Sequence, residues 1–258
     1  MRRLAVAAGL LLACSGAIAG EPESLDFNVS AQVDVDVTGK AHVLEMGKVS
    51  RLSDVPSLAP VAETIAQRLR QRIETWQFTP AARLGQPVTS TTNVHVALEG
   101  SDDGHGGLAV RILNARTGGD LRDPNRLALT IALNRAQEEA VIAVGVEYDE
   151  SGHVQSLSEV DARGFRHGKF VGTPGKSLRK DVLAAARDWT FVPEKIEGHP
   201  IVGRGVVPVR LCFSAECTSA PYIRERGDDG RDGSDAGTSF AAVDPAVTLR
   251  SAVAGTAL

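Results

Sequence analysis

The side chains that could carry chemistry in this chain are few and scattered. The histidines are His42, His95, His105, His153, His167 and His199, and no two of them share a metal-binding spacing. No His-Glu-x-x-His helix, Gly-x-Ser-x-Gly elbow or phosphate-binding glycine loop occurs. The stretch Gly164 to Gly175 holds Gly, Lys and Thr without the P-loop spacing. Asp102, Asp103 and His105 are of metal-ligand type, but they sit in the Gly-rich run Glu99 to Gly107, which reads as a solvated joint. Asp34 and Asp36 alternate with valines, which puts both carboxylates on the outer face of a strand. Cys212 and Cys217 could close a small disulfide loop or form half of a zinc site. No second Cys pair exists to complete the zinc set, so the disulfide is the expected state. These residues predict no enzyme, no catalytic residue, no metal and no cofactor.

Composition narrows the partners. The chain has 258 residues, a formal charge of −4, 43% apolar residues and 23% charged residues, which is ordinary for a soluble protein. Lys and Arg number 28 against 32 Asp and Glu, so no basic footprint for nucleic acid is expected. Arg68, Arg70 and Arg72 interleave with the apolar face of a helix and read as its solvated side.

The N-terminus reads as an export signal over residues 1–19. Met1-Arg2-Arg3 is a positive start, Leu4 to Ala13 is apolar, and Ala17-Ile18-Ala19 is a cleavage pattern. The apolar run falls short of the roughly 20 residues that cross a bilayer. Leu11-Leu12-Ala13-Cys14 also has the form of a lipobox, in which Cys14 would be lipidated. An uncleaved anchor is the third reading. Each one places the body of the protein outside the cytoplasm, with membrane attachment only through Cys14 or a retained signal. An oxidising compartment agrees with a Cys212–Cys217 bridge.

The elements that would hold any site follow from periodicity. Ala31, Val33, Val35 and Val37 alternate with polar residues as a half-buried strand, and a second short strand is expected near His42 to Met46. Pro60 suits a helix start. Val61, Ile65, Leu69 and Ile73 then recur every four residues and predict an amphipathic helix that ends near Trp76. Val144, Val146 and Tyr148 alternate in the same way, Leu178, Val182 and Ala186 form a second helical stripe, and Leu127 to Ala140 reads as a further helix. Leu108 to Leu113 could add a strand, and the Gly- and Asp-rich stretch from Arg226 to Gly237 has no apolar residue but Ala236.

Two of these stretches are copies of one another. Trp76, Phe78 and Pro80 precede Gly85, Pro87 and Val88, then Val94, Val96 and Leu98. Trp189, Phe191, Pro193, Gly198, Pro200, Ile201, Val207, Val209 and Leu211 repeat the set, each 113 positions on. Asp36-x-x-Gly39 returns at the same offset as Asp149-x-x-Gly152. A shared register means two units of one kind, with these positions fixed by packing and turns. The expected fold is α+β, with two similar small domains of roughly 75 residues, each a short antiparallel sheet with one helix packed on one face. The expected boundaries are 27–99 and 124–217 for the repeats, 100–123 for a joint and 218–258 for a disordered tail.

The series Trp-x-Phe-x-Pro, Gly-x-Pro-Val and Val-x-Val resembles the C-terminal domain of the energy-transducing TonB proteins. The first copy carries it through Trp76, Phe78, Pro80, Ala81, Gly85, Pro87, Val88, Val94 and Val96. The second has Glu194 in place of Ala81. The resemblance implies a periplasmic module that adds an extended peptide to a sheet edge, its partners being envelope proteins such as outer-membrane TonB-dependent receptors. The long Pro-rich spacer of TonB is missing, since only 12 Pro occur. That leaves an envelope structural or interaction role without energy coupling as the alternative. Pro208 interrupts the last strand of the second copy, whereas His95 stands at the matching place in the first. The expected docking edge is therefore Asn93, Val94, His95, Val96, Ala97 and Leu98.

Overall fold

In a computed structural model, which describes residues 25–50, 52, 53, 55–105, 107–122, 139–166, 169–212 and 241–258, the chain is mostly β. The first repeat runs β1 (Leu25–Val35), β2 (Ala41–Met46), α1 (Ala59–Ile73), β3 (Phe78–Thr79), β4 (Ala82–Arg83), β5 (Gln86–Pro87) and β6 (Ser90–Asp102). β7 (Leu108–Gly118) and β8 (Asp120–Leu121) follow. The second repeat runs β9 (Glu139–Tyr148), β10 (Val154–Arg166), β11 (Lys169–Gly172), α2 (Lys176–Ala186), β12 (Phe191–Val192), β13 (Lys195–Ile196), β14 (His199–Pro200) and β15 (Gly203–Cys212). β16 (Ala241–Ala242) and β17 (Thr248–Leu249) come last.

The expected α+β fold of two small helix-backed domains is corrected. Only two helices occur among the described residues, and strands of 10 to 13 residues dominate. One sheet has the order β14-β13-β6-β1-β2, with β7 also on β6, and the other has the order β11-β10-β9-β15-β16. The β13–β14 hairpin belongs to the second repeat by sequence yet pairs with the start of β6 in the first. The sheets are therefore not confined to their own repeats. The expected joint over 100–123 is corrected too. β6 continues to Asp102, and β7 returns along it in a ten-residue antiparallel register. The physical reason is that interior strand positions hold polar residues. Ser90, Thr92, Asn93 and Thr117 are all buried, and such residues conceal a strand from a hydropathy pattern.

The C-terminal expectation also changes for residues 241–258. β17 pairs with β3, and Val247 and Val253 lie in the core of the first sheet. Residues 255–258 then run along β7. Gly255 N–H donates to the Ile112 carbonyl at 2.7 Å, Ile112 N–H to Thr256 at 2.9 Å, and Leu258 N–H to Val110 at 2.9 Å. The export signal with Cys14, the helix expected over most of Leu127 to Ala140, and Cys217 lie outside the described residues. Glu139 and Ala140, the last two residues of that expected helix, instead open β9.

Local repetition is nonetheless realised. Asp36 Oδ1 accepts the N–H groups of Thr38 and Lys40 at 2.8 and 3.1 Å, and Asp149 Oδ1 those of Ser151 and His153 at 2.9 and 3.0 Å. Phe78 N–H donates to Gly39 at 2.9 Å, and Phe191 N–H to Gly152 at 2.8 Å. In α1 the buried stripe is Ala62, Ile65, Leu69 and Ile73, so Val61, expected inside, is corrected to the exposed side. Trp76, Phe78, Trp189 and Phe191 are all buried. Pro80 and Pro193 follow β3 and β12. Leu84-Gly85 and Glu197-Gly198 have positive φ at both positions, which makes the two-residue turns that precede Pro87 and Pro200.

Candidate functional site

The expected docking edge is not an edge. Every residue from Asn93 to Leu98 pairs with β1 on one side, and the same segment lies against β7 on the other. Asn93, Val94, His95, Val96, Ala97 and Leu98 are all buried. Strand addition needs unpaired backbone groups, and here the chain's own strands have taken them. Arg204 accepts from Val243 on the outer side of β15, so by alternation the backbone nitrogen of Pro208 faces the same outer side. Pro208 thus interrupts the outer donor row of β15.

The expected chemistry-bearing residues are placed as follows. Asp103 Oδ1 accepts the N–H groups of His105 and Gly107 at 2.7 and 2.8 Å, and Asp102 Oδ1 accepts that of Gly104 at 2.8 Å. These bonds hold the Asp103 carboxyl below its ordinary value, and they shape the β6–β7 hairpin turn. Asp34 accepts the Thr91 hydroxyl at 2.6 Å. Asp34, Asp36, Lys40, His42 and Thr91 line a cavity of about 380 Å³ with Gly198. The Thr38 hydroxyl and the Lys40 N–H hold the Asp36 carboxyl below its ordinary value. Among the described residues no three His, Cys, Asp or Glu side chains could hold a metal ion.

A buried polar cluster, unseen in the sequence, lies where β6, β8, β9 and the C-terminal segment meet. Glu194 follows β12 and stands where the first copy has buried Ala81. Its Oε1 accepts the Thr92 hydroxyl at 2.6 Å, and its Oε2 accepts the Ala246 N–H at 2.9 Å. Burial pushes its carboxyl above the ordinary value, against the pull of these donors and of His95. His95 Nε2 lies 2.9 Å from the Gly119 carbonyl, so this nitrogen carries the proton and donates. Its Nδ1 is 3.8 Å from Asp120 Oδ1. Tyr148 stacks on Phe191 with ring centroids 4.6 Å apart, and its tip fits only because Gly119 and Gly203 carry no side chain. Burial first, then Glu194 and Asp120, raise the Tyr148 phenol well above its usual range. The cluster holds the Tyr148 phenol in its protonated form. It ties segments together, and the one sequence signal for it was the exchange of Ala81 for Glu194.

The sheet rims are the remaining candidates. The outer side of β7 carries residues 255–258, and Val43 N–H of rim strand β2 meets Glu74 Oε1 at 3.4 Å. β10 before its bulge pairs only with β9 among the described residues, and its exposed residues there include Gln155, Ser156, Ser158 and Glu159. β11 differs. It is the rim strand of the second sheet and pairs only with β10 among the described residues. Phe170 is 63% exposed and Val171 48% exposed. Phe165 supports Phe170 edge-on, with centroids 6.4 Å apart.

Comparison of the chain with family models, curated proteins and solved structures gave no match.

Proposed function

We propose that this chain is a periplasmic protein-interaction module that takes up an extended peptide segment of another envelope protein by strand addition. The observation that carries the reading is β11, a short rim strand with two adjacent apolar side chains in solvent. An added strand satisfies its outward N–H and C=O groups and covers those side chains, giving affinity from the backbone and selectivity from alternate pockets. The likeness of the repeats to TonB C-terminal domains supports this mode of binding. It names outer-membrane TonB-dependent receptors as first candidate partners.

Titration of the mature chain with labelled peptides from the periplasm-facing segments of such receptors tests the reading. Phe170→Ser combined with Val171→Ser removes the exposed apolar pair and should weaken binding by about tenfold or more. Circular dichroism checks that the sheet persists. Equal binding by the variant would remove β11 from the proposal. A second reading, an envelope structural protein without receptor coupling, draws on the covered edges of β6 and β7. Failure of every receptor segment, with other envelope proteins captured through β11, would favour it.

A further inference from the structure

The charge around β11 is unlike that of the rest of the chain. From Ala162 to Lys180 the sequence holds Arg163, Arg166, Lys169, Lys176, Arg179 and Lys180, with no Asp or Glu, in a protein of net charge −4. Arg163 and Arg179 pair with carboxylates from the preceding strand. Arg163 Nε lies 2.7 Å from Asp161, and Arg179 pairs with Glu159. Lys169, on β11 itself, and Lys176, at the start of α2, are exposed. Among the described residues the rim strand thus offers a side without a strand partner, two apolar side chains and exposed ammonium groups.

We infer that the segment β11 takes up is acidic: an extended peptide whose Asp or Glu side chains lie against Lys169 and Lys176 while its apolar side chains cover Phe170 and Val171. The inference rests on the strand-addition reading and adds the chemistry of the partner. A peptide matches the surface better than an anionic membrane does, because only a strand pairs with the outward backbone of β11 as well as with its charges. Exposed ammonium groups act over roughly a Debye length, so their contribution falls as salt rises.

The experiment uses the mature full chain and three fluorescent peptides of one length, with valines alternating with Glu, Thr or Lys. The Glu peptide should bind about tenfold more tightly than the Thr peptide at low salt, and the gap should close at high salt. Lys169→Glu with Lys176→Glu should abolish that advantage and leave the Thr peptide unchanged. The milder Lys169→Gln with Lys176→Gln should reduce it, which guards against a folding artefact. Equal binding of the Glu and Thr peptides would overturn the acidic partner and leave strand addition standing. No binding by any peptide would overturn both. Flotation with phosphatidylglycerol vesicles, lost in the lysine variants while no peptide binds, would instead make this rim a membrane contact.

Discussion

Gly152→Ala should destabilise the chain by about 2–5 kcal/mol, and Gly39→Ala should do the same in the first repeat. Both glycines have positive φ, +85° and +84°, which already disfavours an alanine. The larger effect is contact with backbone. An added Cβ would lie 2.1 Å from the carbonyl oxygen of Phe191 in one case and of Phe78 in the other. Neither oxygen can retreat cheaply. Each Phe donates its own N–H back to the glycine carbonyl, at 2.8 and 2.9 Å, and both rings are fully buried. Gly85 and Gly198 supply the control. They too have positive φ, but nothing lies within 4 Å of an added Cβ, so Gly→Ala there should cost only about 1 kcal/mol. Urea unfolding followed by tryptophan fluorescence measures all four. Equal losses at the four sites would show that the approach to Phe78 and Phe191 is not what fixes these turns.

That prediction marks where sequence was a good guide. The Asp of each turn acts through bonds two and four residues away, so the Asp-x-x-Gly pattern alone points to a turn, though not to the approach of Phe78 or Phe191. The Trp and Phe positions recur with buried environments. The sheets were harder. β7 holds Asn114, Arg116 and Thr117, and Thr117 is buried because its hydroxyl donates to Val247, 130 residues on. No local pattern announces such a partner. The docking edge was misplaced for the same reason. Whether a strand is a rim depends on what pairs with it, and β7, which shields Asn93 to Leu98, came from a stretch read as a joint. β11 gave a visible apolar pair in the sequence, but its rim position was legible only once the strand order was known.

Glu194→Ala should destabilise by about 2–4 kcal/mol, because it leaves two donors without their acceptor in the interior. Thr92 OH and Ala246 N–H are those donors, and they belong to the first repeat and the C-terminal segment. Hydrogen exchange should therefore rise most at Ala246 to Leu249, where β17 is held, and less in β9. The pH dependence has a definite sign. Burial raises the Glu194 carboxyl above its ordinary value of 4.5, so the folded state favours the protonated form. This contribution is complete below the unfolded value and is lost as pH rises through the folded one. Wild type should therefore gain stability over Glu194→Gln as pH falls from neutral toward 4.5, read as the difference between their urea midpoints. A difference that stays constant across that range would mean that Glu194 keeps its charge in the interior. The tie between second repeat, first repeat and C-terminus would then be an ionic one, with His95 as the nearby group able to balance it.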